Sequence, residues 1–408
     1  MPTPDPSTEL RPPLRVGHVV DCFGAGGIAA GVLSLVQATA DRVDHAIISL
    51  SDDLRLKTDL PPNATINVLK PGPTKLIGFS ARLALLARRR RLDVLHCNNS
   101  FAWLDSELAA GAVGAVCLQT FHGVERPVRD LAGMNWKCRT AVRLGSVVTA
   151  VGEASRRMVC TLSGIDEAEV EIIPNGIDLN RFRPSPPDRR AGASLRSELG
   201  IPAEAGLAVH VAGLRSVKDQ ATLLRAWRLV VDAARRDHRP DPALLLIGEG
   251  PRRGDLEGLA ANLGLARTVR FLGLRRDVDS ILPCCDVFVL SSLSEGLSFA
   301  ILEGMACGLP VVATHVGGNV ELVEEGKTGR LTPPGDPSAM AAALSGLLSD
   351  PSTRQAMAAR GRRFVERRHD VARSTDRYAR LYRELVDRSP RSSSRRGTLA
   401  RARCRTSV

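Results

Sequence analysis

Aromatic residues are scarce: phenylalanine, tryptophan and tyrosine make up 3% of the 408 residues, and tyrosine occurs only 2 times. Proteins that grip single-stranded nucleic acid stack its bases on aromatic rings, so this composition disfavours that class. No window holds 18 uninterrupted apolar residues, and no membrane-spanning helix is expected. The N-terminal MPTPDPSTELRPP lacks the apolar core of a secretion signal, which gives the expectation of a cytoplasmic protein. The 9 cysteines include no CxxC pair and no His/Cys cluster at zinc spacing, so they read as reduced, structural thiols. The first turn has no GxGxxG with an acidic partner, which disfavours a dinucleotide oxidoreductase.

Acids are missing from the C-terminus. Arg388 to Val408 hold seven arginines and no Asp or Glu, which leaves +5 of the formal +12 on the rest of the chain. That excess is modest, and no nucleic-acid partner is expected. Residues 388–408 read as a basic disordered tail and residues 1–13 as a disordered N-terminus. A second basic block, Arg88 to Arg91, ends an apolar helix-like stretch. It suits the helix dipole and anionic lipid headgroups equally well.

What is present is a repeated alternation. LRVGHVVDCF from Leu14 reads as a buried strand, GAGG as a turn and Ile28 to Ala40 as a helix; HAIISL, LDVLHCN, VCLQTFHG and SVVTAVG are further strands. EIIPNGID leads into FRPSPPDRR, the best linker candidate, and a boundary falls near residue 180. The pattern then restarts with LAVHVAGL, a helix from Gln220 to Ala234, ALLLIGEG, a helix from Asp255 to Gly264, VRFLG and DVFVLSS. Strands alternating with helices predict an α/β protein of two Rossmann-like domains facing across a cleft, with ligands at the C-terminal ends of the strands. Helical sequence closes the chain.

One stretch carries the chemistry. SEGLSFAILEGMACGLPVV sets Glu295 and Glu303 eight residues apart among glycines and apolar side chains. A strand ends near Ser291 or Ser292, and Ser298 has the chemistry of a helix N-cap. The amides at that helix start suit a phosphate. Glu303, inside the apolar helix, costs free energy unless it is hydrogen-bonded, and the vicinal hydroxyls of a ribose would supply two donors.

EGLSFAILEGMACGLPVVATHVGGNVELVEEGKTGRLTPPGD closely resembles the donor-binding region of retaining glycosyltransferase family four, which has the GT-B fold. Weaker matches follow in the family's order: FGAGG, TFHGVE, VTAVGEASRRM, IIPNGID, VAGLRSVKDQATLLRAW, IGEGP and VRFLG, together spanning roughly residues 15 to 385. The resemblance implies an acceptor-binding domain at 14–180, a nucleotide-sugar-binding domain at 181–370, a crossover helix at 371–387 and C-terminal helices packing back toward the N-domain. It implies that Glu295 binds the donor sugar, Glu303 the ribose, and the amides of Leu297 and Ser298 sugar and phosphate. Lys218 would neutralise the diphosphate, His122 would face the sugar, and Gly26 and Gly27 would let the first turn approach diphosphate or acceptor. Glu249 and the backbone around Phe271 would line the base pocket. Glu295, His122 and Lys218 form the expected catalytic set. The implied co-substrate is a nucleotide-diphosphate sugar, with no cofactor and no metal. The stretch GGIAAGVLSLVQATADRVDHAIISL further resembles sugar transferases of exopolysaccharide assembly, which implies a glycan or lipid-linked acceptor and contact of Arg88 to Arg91 with an anionic membrane.

Two features depart from this pattern. Where the family has Gly-Arg-Leu, this chain has Ala212, Gly213 and Leu214, and Arg215 is the candidate to supply the missing charge. Asp277 and Asp279 form a DxD pattern that binds metal in a different transferase fold; here it reads as the cap of a short helix. Two alternatives remain. A nucleotide-sugar epimerase of the same fold would release epimerised sugar without an acceptor. A degenerate binding protein would have lost the paired glutamates, which this chain keeps.

Overall fold

The structure, a computed structural model, describes residues 13–24, 26–71, 76–123, 132–184 and 190–389. The termini expected to be disordered therefore lie outside the described residues except for residues 13, 388 and 389, as do Glu125 and the middle of the FRPSPPDRR linker.

The first parallel sheet contains β1 (Leu14–Val20), β2 (Val43–Ser49), β3 (Thr65–Val68), β4 (Val94–Cys97), β5 (Val116–Phe121), β6 (Val147–Ala150) and β7 (Glu171–Ile172) in the order β3-β2-β1-β4-β5-β6-β7. It is covered by α1 (Gly27–Thr39), α2 (Leu76–Arg90), α3 (Trp103–Val113), α4 (Ala132–Arg143) and α5 (Glu153–Ser163). The second sheet, in the order β10-β9-β8-β11-β12-β13, contains β8 (Leu207–Val211), β9 (Ala243–Ile247), β10 (Val269–Gly273), β11 (Val287–Leu290), β12 (Val311–Thr314) and β13 (Gly329–Thr332). Around it lie α6 (Arg190–Glu198), α7 (Gln220–Arg236), α8 (Arg253–Asn262), α9 (Val278–Ile281), α10 (Phe299–Ala306), α11 (Asn319–Leu322), α12 (Pro337–Ser349) and α13 (Pro351–Arg368). Every strand pair is parallel. The central strands are buried along their length, as sheets covered on both faces require. The strand order reverses between β1 and β4 and again between β8 and β11, so each domain has a crevice at those strands' C-terminal ends.

Local chemistry sets the helix starts. Asp336 and Asp350 each accept two backbone N–H bonds and are followed by proline, which suits the first helical turn. Ser298 caps α10 as its sequence suggested, accepting from the Ile301 amide at 3.4 Å. The DxD pattern behaves differently from expectation. Asp277 stands at the N-cap position of α9, but its side chain makes no capping bond. It forks instead onto Arg275 at 2.7 and 2.5 Å, because a charged bidentate pair outcompetes a neutral amide. Asp279 pairs with Arg181 at 3.2 Å.

α14 (Val371–Arg388) returns to the first domain, as the resemblance implied. Its Tyr378, Leu381, Tyr382 and Val386 bury against Leu14, Val16, Leu35, Val94 and Ile173. Both tyrosines of the chain are on this helix, and both meet a polar layer within the first sheet. His96 Nδ1 lies 2.6 Å from the Tyr382 hydroxyl and Nε2 lies 2.7 Å from Thr120 Oγ1, which in turn is 3.0 Å from the Tyr378 hydroxyl. His18 and His45 continue the layer through a 2.9 Å contact, and Thr39 partners His45.

Candidate active site

The site forms where the second sheet reverses. The loop after β8 delivers Lys218, and the loop after β11 delivers Glu295. Leu293 N–H donates to the Val217 carbonyl at 2.8 Å and Ser291 Oγ to the Lys218 carbonyl at 2.8 Å, which ties the two loops together. Lys218 Nζ then reaches Glu295 Oε1 at 2.7 Å, and Ser292 Oγ donates to the same oxygen at 2.6 Å. The ion pair is mostly shielded, with side chains 17% and 10% exposed, so its charges are screened far less than surface pairs.

The segment after Glu295 touches both domains. A side chain at Gly296 would overlap the His122 carbonyl, and one at Gly123 would come within 3.1 Å of the Gly296 α-carbon. On the other side, Gly317 and Gly318 approach the backbone of residues 295 and 296 so closely that only glycine fits. Asn175 Nδ2 donates to the Leu297 carbonyl at 2.7 Å. Leu297 and Ser298 are both buried.

His122 follows β5 and points its Nε2 toward Asn98 Oδ1 at 3.2 Å, while its buried Nδ1 has no partner among the described residues. Burial pushes its pKa down to about 4, so the ring is neutral near pH 7. Glu303, on α10, is partly buried, and its carboxylate accepts no hydrogen bond from the described residues. Burial pushes its carboxyl up to about 7; Arg181 opposes the shift and Asp279 adds to it. An unsatisfied carboxylate poised to titrate near neutrality suits an incoming hydroxyl donor.

A second group gathers at the ends of β8, β9 and β10. Arg215 folds back beside Gly213: a β-carbon there would lie 3.8 Å from Arg215 Nε. The side chain two positions on thus reaches the space adjoining the position where the family carries its arginine. Glu249 accepts the Leu214 amide at its carbonyl, 2.9 Å, and its carboxylate pairs with Arg253. Phe271 lies on edge strand β10, partly buried against the core beneath α7. In the first domain, Gly26 caps α1 with φ 123, and no described residue comes within 4 Å of where a side chain would stand. The corresponding space at Gly27 is taken by the Phe299 ring.

Geometry therefore brings Lys218, Glu295, Leu297, Ser298 and His122 into one connected cluster, and Arg215 with Glu249 into a neighbouring one. Sequence reasoning gave no role to Ser292, Asn98, Asn175, Phe299 or Glu321. Asn175 and Glu321 lie in stretches that carry the resemblance (IIPNGID and VGGNVEL), but nothing in their spacing reveals a contact across domains. Glu321 accepts the amides of Glu153 and Ala154, both at 2.8 Å, and so caps α5 of the opposite domain.

Two parallel-sheet domains with a cationic, glycine-lined switch-point site define the GT-B class of glycosyltransferases. Residues 25–181 match Glycosyltransferase Family 4, and residues 193–364 match Glycosyl transferases group 1. The chain belongs to glycosyltransferase family four. It is 27% identical to the N-acetyl-alpha-D-glucosaminyl L-malate synthase of Bacillus anthracis, over 76% of this chain and 79% of that protein. It is 36% identical to the D-inositol 3-phosphate glycosyltransferase of Corynebacterium urealyticum, over 54% of this chain and 52% of that one. The crystal structure of Anabaena HepE in complex with UDP and glucose has the same fold, with a TM-score of 0.78 at 23% identity over 91% of this chain and 100% of that chain. These relatives do not favour the epimerase reading.

Proposed function

We propose that this glycosyltransferase is retaining and moves a hexose from a nucleotide-diphosphate sugar to an acceptor hydroxyl, with residues 14–180 holding the acceptor and 181–370 the donor. The observation that carries this reading is the shielded Lys218–Glu295–Ser292 array set against the N-terminus of α10 at the switch point. Lys218 and Arg215 balance the charge that grows on the departing diphosphate, a service of preorganised cations in a shielded site. The amides of Leu297 and Ser298 face sugar and phosphate, Glu295 accepts from sugar hydroxyls, and Glu303 accepts from the ribose. His122 faces the sugar across the cleft, and Glu249 with Phe271 borders the base. Gly26, with no described residue beside it, and the amide of Gly27 stand toward the diphosphate or acceptor. The leaving β-phosphate oxygen takes the acceptor's proton on the same face, so catalysis rests on positioning and charge rather than on a side-chain base or a metal.

The acceptor reading is a glycan or lipid-linked saccharide of cell-surface polymer assembly, such as exopolysaccharide, used at the inner membrane face. Its support is the outer layer formed by α2, α3 and α4. Leu85, Phe101, Leu108, Trp136 and Leu144 are exposed there. The same layer carries Arg82, Arg88, Arg89 and Arg90 on α2 and Lys137, Arg139 and Arg143 on α4, while the acids of its helices, Asp105 and Glu107, are buried. Exposed apolar side chains among cations suit an anionic lipid surface. Among the described residues no helix is long and apolar enough to cross a membrane, so the contact would be peripheral.

The direct test is thermal stabilisation by a panel of UDP-, GDP-, ADP- and dTDP-sugars, followed by NMR of the product anomer. One nucleotide family should raise the melting temperature, and Glu303→Ala should abolish most of that shift. A product of inverted anomeric configuration would refute the retaining assignment.

A further inference from the structure

We infer that Phe299 is a positioning residue, a wedge from the donor half seated in a two-glycine notch of the acceptor half, which sets the alignment of the 295–298 loop across the cleft. Phe299 opens α10 immediately after its Ser298 cap. Its helix neighbours Ile301, Leu302 and Met305 are buried in their own domain's core, whereas Phe299 joins none of the apolar clusters among the described residues. Its ring instead lies on α1 of the other domain. A methyl group on Gly27 would come 2.7 Å from Phe299 Cδ2, and one on Gly31 would come 2.5 Å from Cζ.

The notch explains two glycines that the backbone does not require. Gly27 and Gly31 lie within α1, and neither has a positive φ. Glycine inside a helix is destabilising, because it gives up conformational freedom and buries nothing. Here it makes room for the ring, and the spacing of four residues puts both gaps on one face of the helix.

The wedge acts together with two other contacts on the same short segment. Gly296 rests against the His122 carbonyl, the Leu297 carbonyl accepts from Asn175, and Phe299 fills the notch, so three of the four positions 296–299 are held by the acceptor half. A cavity of about 40 Å³ lies beside the ring, bordered by Asn98, His122, Asn175 and Tyr378. It has room for water and leaves the ring braced by α1 rather than by solid packing behind it.

The inference rests on the reading of this loop as sugar- and diphosphate-binding. Lys218, Glu303 and the α10 amides all belong to the donor half, so a lost wedge should spare donor affinity and impair transfer. A displacement of about 1 Å between reacting groups costs roughly a hundredfold in rate.

The test is a size swap in the full chain. Gly31→Leu should lower kcat tenfold to a hundredfold with an unchanged Kd for the nucleotide (roughly, by the same positional argument). Adding Phe299→Ala to that variant should restore most of the loss, because the smaller residue vacates the notch. Gly31→Ala, a milder change, serves if the leucine variant does not fold. Unimpaired transfer in both Gly31 variants, or no recovery in the double variant, would overturn the inference. Hydrogen exchange of the α1 amides, faster in Phe299→Ala and restored toward normal in the swap, reads the wedge without any ligand. A failed donor assignment would therefore leave that arm intact, whereas unchanged exchange alongside active enzyme would refute the wedge alone.

Discussion

Glu303 has the environment of a carboxylate awaiting donors. Its pKa of about 7 in the ligand-free protein exceeds the unfolded value, so its ionised form costs stability that is absent below pH 4.5 and fully felt above pH 7. Glu303→Gln should therefore stabilise the ligand-free protein at alkaline pH, by up to about 3 kcal/mol, as read by urea denaturation. Two ribose hydroxyls would favour the ionised form, so nucleotide binding should release a proton. Affinity measured by calorimetry should weaken as pH falls below 7, and Glu303→Gln should flatten that dependence. Lys218 is the other residue whose role is separable. Lys218→Met removes a preorganised cation and should lower kcat by about a hundredfold or more while changing acceptor KM little. It also leaves Glu295 without its cation, so the Lys218→Arg variant, which keeps the charge, should recover part of the rate.

At the scale of elements, α14 is held by chemistry as much as by apolar burial. Its two tyrosines meet His96 and Thr120 inside the first sheet, and Tyr382→Phe would leave His96 Nδ1 buried without a partner. That should cost about 1–3 kcal/mol, measured by urea denaturation. The same layer makes the fold sensitive to acid. Burial holds His96 at about 3 and His45 at about 4, both below the unfolded value of 6.5. These rings stay neutral when folded and take up protons on unfolding, so their stabilisation is complete above pH 6.5 and is lost as pH falls toward 4. The loss is up to about 1.4 kcal/mol per pH unit for each ring. The urea midpoint should drop steeply below pH 6.5. Glu321 illustrates a cap supplied from outside the helix: its carboxylate offers α5 two acceptors and a charge suited to the helix dipole. Glu321→Ala should cost about 0.5–2 kcal/mol.

For the whole molecule, the two domains meet around the active-site loop through glycine-lined backbone contacts and the side chains of Asn175, Phe299 and Glu321, while the α2–α4 layer faces outward with its cations and exposed apolar side chains. Trp136 is 51% exposed there, whereas Trp103 and Trp227 are buried, so fluorescence changes on docking will come from Trp136. Vesicles of phosphatidylcholine with phosphatidylglycerol should bind the protein and shift that emission to the blue, and phosphatidylcholine alone should not. Replacing Arg88, Arg89 and Arg90 by glutamine should weaken binding, with each lost cation worth about 1 kcal/mol near the surface. Equal binding to both vesicle types would refute the electrostatic reading.

Sequence by itself determined the local elements and the chemistry of the Ser294 to Ser298 loop. β-Branched runs alternating with helical stretches specify two parallel sheets, because that alternation has few other ways to bury both sheet faces. Ser298 was legible as a cap, and Glu295 and Glu303 as a paired feature, since caps and spacing are properties of neighbouring residues. Asp277 was misread as a cap because a competing arginine two positions earlier captured its carboxylate. The tertiary structure alone decided the long-range partners: the Lys218 ion pair with Glu295 inside the second domain and, across the cleft, Asn175 on the Leu297 carbonyl, Glu321 on α5, and Phe299 in its notch. Those partners are separated by 77, 122 and more residues, and no periodicity reports a distance over such a span. Strand adjacency within the second sheet joins the first pair, and only the meeting of the two domains brings the others within reach.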